Sequence, residues 1–130
     1  MAHKLRTYPE FILQTQICKY LDLQYPEVLY SSDTIGSIRL TGQQAGRNSK
    51  IQKKGFKMPD LTIHEPKKGY HALFIELKVE TPYKLNGELK KDAHLKGQAE
   101  SMEQLRQKGY WADFRWSFED VKKVIDWYLN

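Results

Sequence analysis

The 130-residue chain has a single cysteine, Cys18, so no internal disulfide can staple it, and a buried free thiol in a reducing compartment is expected. No apolar run approaches the ~20 residues that a membrane-spanning helix needs, which leaves no membrane partner to expect. The opening, MAHKLRTYPE, lacks the apolar core of a secretory signal, and this makes the cytoplasm the expected location. There are no internal repeats and no linker-like stretch, so a single domain over 1–130 is expected, with enough chain for one modest core. Acid is missing from one long segment. Between Gly36 and Met58 stand Arg39, Arg47, Lys50, Lys53, Lys54 and Lys57, without one Asp or Glu. Net charge is +5, so the remainder of the chain is close to neutral.

That basic segment is rich in Gly, Gln, Ser and Asn and shows no sustained apolar period, which predicts a mobile loop. Such a loop is often no more than a solvated surface. Beside a catalytic site, however, uncompensated positive charge suits a polyanion, because each Lys or Arg can neutralise a phosphate.

Elsewhere the periodicities are clearer. Thr7-Tyr-Pro-Glu10 has the form of a capping box with proline in the first turn, predicting a helix to about Asp22 with Leu13, Ile17, Tyr20 and Leu21 inward. A strand is expected at 28–31. Two more follow at 61–64 and 71–79, joined by a turn at Pro66-Lys-Lys-Gly69. Thr81-Pro82 ends the extended run, the polar stretch 83–91 with Asn86-Gly87 reads as a loop, and 81–91 as a whole reads as a disordered connection in preference to a substrate-contacting loop. A helix over 92–108 turns Leu95, Ala99, Met102 and Leu105 inward, with Gly109 as its cap. A strand over 111–116 precedes a final helix opened by Ser117, with Val121, Val124, Ile125 and Tyr128 on one face. The predicted order is α-β-β-β-α-β-α, an α/β domain around a mixed sheet.

The second hairpin strand, Leu73–Val79, carries charge in its middle. Side chains alternate along a strand, so Leu73, Ile75, Leu77 and Val79 share one face, and Phe74, Glu76 and Lys78 the other. A hairpin can bring Asp60, at the mouth of the preceding strand, next to Glu76. Two crowded carboxylates repel unless a cation lies between them. Oxygen ligands of this kind suit Mg²⁺ or Mn²⁺, which retain waters and accept a substrate phosphate. A lysine two residues on can then hold the attacking water. Glu-x-Lys alone is common on edge strands. The apolar flanks, the Pro59-Asp60 at hairpin distance and the adjoining basic segment tell against that reading here.

Pro59-Asp60 followed by Glu76-Leu77-Lys78 resembles the PD-(D/E)xK nuclease core, whose fold is restriction-endonuclease-like. The flanks narrow the likeness. Ala45-Gly46-Arg47, Lys54-Gly55-Phe-Lys-Met-Pro59-Asp60-Leu61, Ile75-Glu76-Leu77-Lys78, Gln98, and Gly109-Tyr110 before a last strand and helix resemble the VRR-NUC branch, as a stand-alone phage-like member. The likeness runs from Glu10 to Leu129. It implies Asp60, Glu76 and the Leu77 backbone carbonyl as metal ligands and Lys78 as the residue that positions the water. Glu10 would complete the metal site, unless its carboxylate only caps the first helix. Gln98 would orient the lysine or the scissile phosphate. Arg39, Arg47, Lys50, Lys53, Lys54 and Lys57 would meet the nucleic acid, while Ser31 and Ser32 are weaker candidates for a place near it.

The function so implied is a Mg²⁺- or Mn²⁺-dependent, structure-selective DNA endonuclease, resembling Holliday-junction resolvases that act as homodimers in the host cytoplasm. No base-reading module is evident, which favours branched DNA over a defined sequence. Two identical sites in a two-fold dimer suit a two-fold substrate. Trp127, Tyr128 and the aromatic strand 110–116 are candidates for the dimer surface, or ordinary core. The alternatives are a flap or single-strand nuclease and a non-catalytic DNA-binding module. His64, His71 and His94 form no recognisable ligand spacing and are expected at the surface.

Overall fold

The computed structural model describes residues 2–33 and 40–130, with side chains from Pro9 onward. Arg39 therefore lies outside the described residues. Four strands, β1 (Tyr30–Ser32), β2 (Leu61–Ile63), β3 (Leu73–Leu77) and β4 (Trp111–Arg115), form one sheet in the order β1-β2-β3-β4. The first two neighbouring pairs are antiparallel and β3-β4 is parallel. A parallel pair needs a long crossover, supplied here by helix α3 (Ala93–Gln107). The remaining helices are α1 (Ala2–Gln24), α2 (Gly42–Ile51) and α4 (Phe118–Leu129).

The expected alternation on β3 divides the core in two. Leu73, Ile75 and Leu77 join Leu13, Ile17 and Leu21 of α1 and Val121, Val124, Ile125 and Tyr128 of α4. Phe74 packs with Met102 and Leu105 of α3 and with Ala112 and Phe114 of β4. The sheet is thus covered on both faces, and Glu76, on the Phe74 side, lies beneath α3. Helices α1 and α4 are also tied by polar contacts, since the hydroxyls of Tyr20 and Tyr25 both donate to Asp126, at 2.6 and 2.7 Å.

The β2-β3 hairpin closes by a two-residue loop. Lys67 and Tyr70 exchange both backbone hydrogen bonds, at 3.2 and 2.8 Å, and Lys68 and Gly69 take φ of 52° and 85°. Positive φ at both central positions is the type I′ turn, whose twist matches that of the strands. At the end of α3, Gly109 (φ 93°) forms a Schellman cap in which its N–H donates to Arg106 O and that of Tyr110 to Leu105 O.

Several expectations are corrected. Helix α1 begins at Ala2, so Thr7 lies inside it, Pro9 is internal, and Glu10 is not in the first turn. The segment predicted as a mobile loop contains α2, making the order α-β-α-β-β-α-β-α. No residue of α2 is buried, which is why no apolar period announced it. Its start is set by a capping box: Thr41 Oγ1 accepts from the Gln44 N–H at 3.1 Å, and Gln44 Oε1 from the Thr41 N–H at 2.9 Å. β3 stops at Leu77, so Lys78 stands just past the strand and Val79 is exposed rather than part of the apolar face. The 83–91 stretch is a small hairpin, with Tyr83 bridged to Leu89. Cys18 is only half-buried. Tyr128 is fully buried core, whereas Trp127 is about half exposed.

Candidate active site

The register of β2 and β3 builds the site. Leu61 faces Ile75, so Asp60, one residue before β2, comes opposite Glu76. The backbone then locks both acids. The Asp60 N–H donates to Glu76 Oε2 at 3.1 Å, and the Leu77 N–H donates to Asp60 Oδ2 at 2.9 Å. Asp60 is held from the other side too, its carbonyl accepting from the Asp33 N–H at 2.8 Å. The Lys78 N–H donates to Arg115 O at 2.9 Å, continuing the β3-β4 ladder by one residue and fixing the backbone that carries the lysine.

Two further elements close over this pair. On α3, Gln98 is buried, and its amide Nε2 donates to Glu76 Oε1. One turn earlier, His94 Nε2 lies 3.1 Å from the same amide nitrogen, and His94 Nδ1 lies 3.0 Å from Lys57 Nζ. Residues four apart on a helix are neighbours on its surface, which is what aligns His94 with Gln98. The strap before Pro59 is hooked onto α3, because the Lys57 N–H donates to Ser101 Oγ at 2.7 Å, and Ser101 Oγ donates to Gly97 O at 3.0 Å. The bare Gly97 leaves room for the Lys57 stem, as a Cβ there would approach Lys57 Cε to 3.3 Å. On the other flank, Gln14 of α1 donates to Ser32 Oγ at 2.6 Å and to Asp33 O at 3.1 Å. One turn before Gln14, Glu10 thereby reaches the same cleft.

The result is a cavity of about 420 Å³ lined by Glu10, Asp33, Lys57, Asp60, Glu76, Lys78, His94 and Gln98, together with Asn48 of α2 and Gln52 just after it. Burial pushes the Glu76 carboxyl up to about 9, with Asp60 adding repulsion and Lys78 opposing it. Burial raises Asp60 as well, against hydrogen bonds from Glu76 and the Leu77 N–H. Without a bound cation the protonated form of Glu76 is therefore favoured at neutral pH. Glu10 is also raised, by burial first, Lys78 opposing and Asp60 adding. His94 is held neutral, its pKa lowered by burial and then by Lys57 and Lys78. Lys78 is the cation whose field reaches all four groups.

Among the described residues, no three His, Cys, Asp or Glu side chains are grouped so as to hold a metal by themselves. The pair Asp60–Glu76 is a donor set of hard oxygens held next to each other at the cost of protonation. That chemistry fits an ion bound through one or two carboxylates and completed by backbone oxygen, water and substrate phosphate, as Mg²⁺ commonly is. The buried Gln98 Oε1 has no hydrogen-bond partner, which leaves an acceptor beside the acids for a further donor.

The structure thus brings together Asp60, Glu76, Leu77, Lys78, Gln98 and Glu10, and it sets Lys57 beside them. Arg47, Lys50, Lys53 and Lys54 stand exposed on and just after α2. Ser31 Oγ lies 2.9 Å from His64 Nε2, away from the acids, and Ser32 serves to fix Gln14. His94 is exposed, as expected, and it also lines the cleft. The signal in the sequence was its four-residue spacing from Gln98. Asp33 also lines the cavity, and nothing in its sequence context marked it.

No family model matches the sequence, and no curated protein does. Among solved structures, the chain is similar to a VRR_NUC domain protein, with a TM-score of 0.60 and 25% identity over 92% of this chain and 87% of that one.

Proposed function

We propose that the chain, which has the restriction-endonuclease-like fold of a VRR-NUC domain, is a metal-dependent nuclease that hydrolyses phosphodiester bonds of branched DNA. The observation that carries this reading is the locked pair Asp60–Glu76, with Lys78 at the edge of the same cavity. A binding module gains nothing from buried acids facing phosphates, so the pair speaks for catalysis over a non-catalytic role.

Asp60, Glu76 and the Leu77 backbone carbonyl would hold Mg²⁺ or Mn²⁺, with Glu10 joining directly or through water. The ion, when bound, supplies a Lewis acid that polarises a phosphate oxygen. Everything else comes from the chain. Lys78 orients the attacking water and opposes the negative charge that grows on the phosphate. Gln98 holds Glu76 in place from above. His94 steadies Gln98, and Lys57, in contact with His94, adds positive potential at the cavity wall. Arg47, Lys50, Lys53 and Lys54 extend that potential outward, where the duplex arms would lie.

The basic flank contains nothing built to read base edges, which favours recognition by DNA shape. Two chains related by a two-fold axis would place two such sites on a four-way junction, the resolvase-like arrangement. A flap is the competing substrate, since the same chemistry serves any strand that reaches the acids. Side-by-side cleavage of a four-way junction and a flap of matched sequence, with Mg²⁺ or Mn²⁺, decides between them. Preferential, paired incisions in the junction are expected; equal or faster cutting of the flap would remove the junction as the preferred substrate.

A further inference from the structure

Beyond the cavity, the hairpin spanning 82–90 presents an unusual surface. Its base is firmly seated. Pro82 is buried, and Tyr83 packs edge-on against Phe114 and Trp116, with ring centroids 6.2 and 5.8 Å away. Its backbone is closed by hydrogen bonds from the Lys84 N–H to Glu88 O at 2.7 Å, from Gly87 to Lys84 O at 2.9 Å, and from Lys90 to Pro82 O at 2.9 Å. Asn86 Oδ1 accepts from the Glu88 N–H, and Gly87 takes φ 88°, which completes a tight tip. At that tip stands Leu85, fully exposed. Turn tips ordinarily carry polar residues, and this leucine covers nothing among the described residues.

The foot of the hairpin adjoins the catalytic cavity. A cleft of about 370 Å³ is lined by Glu80, Thr81, Pro82, Lys90, Lys91 and Asp92, and it shares Glu10, Lys78 and His94 with the cavity. Next to it, Lys90, Lys91 and Lys96 line a shallower cleft whose one carboxylate, Asp92, is spent on capping α3. Cations at the foot, an apolar point at the tip and the acids beside them suit a nucleic acid branch. Lysines can take the backbone, while apolar side chains inserted between base steps unstack them.

We infer that the 82–90 hairpin is a strand-separating wedge: Leu85 inserts at the branch point while Lys90, Lys91 and Lys96 lead the released strand to Lys78. This rests on the nuclease reading of the cavity for its purpose, but not for its test. Leu85 lies three residues from Pro82, so it reaches at most about 10 Å past the cleft wall. With the width of the cleft added, this places incision close to the branch rather than far along an arm.

The test uses a four-way junction, a flap and a linear duplex, each with 2-aminopurine at the base flanking the branch or the matching duplex position. Binding is followed by fluorescence in EDTA, so that no cleavage is needed. Wild type should raise the fluorescence of the branched DNAs but not of the duplex. Leu85→Ser should abolish the rise at saturating protein, and Leu85→Phe should retain it. With Mg²⁺, Leu85→Ser should lower the ratio of branched to single-stranded cleavage roughly tenfold, as removal of one unstacking side chain implies. Leu85 touches no core, and matching melting temperatures would verify that the variants fold. An undiminished rise with Leu85→Ser, or wild-type incisions far from the branch, overturns the wedge while leaving the nuclease intact. A Leu85-dependent rise without any cleavage keeps the wedge and overturns the nuclease.

Discussion

Burying Glu76 against Asp60 gives the cleft an acid–base signature. The folded pKa of Glu76, about 9, lies above its ordinary value of 4.5. The neutral form is thus the one the fold favours, and its stabilising contribution is complete below the ordinary value and is lost as pH rises through 9. Metal-free protein should therefore be more stable near pH 5 than near pH 9. Glu76→Gln, which keeps the shape without the charge, should raise the melting temperature at pH 9 by at least about 3 °C, the shift that ~1 kcal/mol produces in a chain of this size. Equal melting of variant and wild type at pH 9 would show that the carboxyl is not strained. His94 belongs to the same scale. It meets Gln98 and Lys57 rather than the acids, so His94→Ala should lower kcat about 10–100-fold, the usual range for residues that orient a site, with little change in KM. A rise in KM alone would make it a substrate contact instead.

Among the elements, α2 separates what a sequence displays from what it hides. Helices that bury a stripe announce themselves through period, and those of α1, α3 and α4 were legible for that reason. α2 buries nothing, so only Thr41-Gly-Gln-Gln44 marked it, a four-residue signal inside a polar stretch. The start of α1 was misplaced because Thr7-Tyr-Pro-Glu10 imitates a helix opening while lying inside one. The hairpin at 83–91 was hidden in the same way, since its stability comes from Tyr83 packing on Phe114 and Trp116, residues distant in sequence. Asp60, Glu76 and Lys78 could be read because alternation along β3 and the short turn at Lys68-Gly69 together dictate their meeting. Asp33 could not be assigned, because its place depends on how β1 docks, whereas His94 was marked only by its four-residue spacing from Gln98. α2 gathers Arg47 and Lys50 on one short helix, with Lys53 and Lys54 just beyond. Replacing Lys50, Lys53 and Lys54 by Gln should reduce the salt slope of duplex binding by about 0.9 for each phosphate that is no longer neutralised. An unchanged slope would place the DNA elsewhere.

At the scale of the whole molecule, the sheet order explains why one end of it carries the chemistry. β2 begins and β3 ends at the same edge, where α1 delivers Glu10, α3 delivers His94 and Gln98, and the strap before Pro59 delivers Lys57. Among the described residues no helix is long and apolar enough to cross a membrane, and the exposed cations of α2 and the 82–90 hairpin flank the cavity. The molecule is organised around a pair of acids held next to each other, where the proposed metal would lie. The most direct test is cleavage of a four-way junction by wild type and Lys78→Ala, each with Mg²⁺, with Mn²⁺ and with EDTA, alongside DNA binding in EDTA. The account predicts cleavage by wild type with either metal and none with EDTA, and for Lys78→Ala no cleavage but binding within about threefold of wild type, since one phosphate contact contributes little to the total. Cleavage by Lys78→Ala at the wild-type rate, or wild-type protein that leaves the DNA intact with both metals, would contradict it.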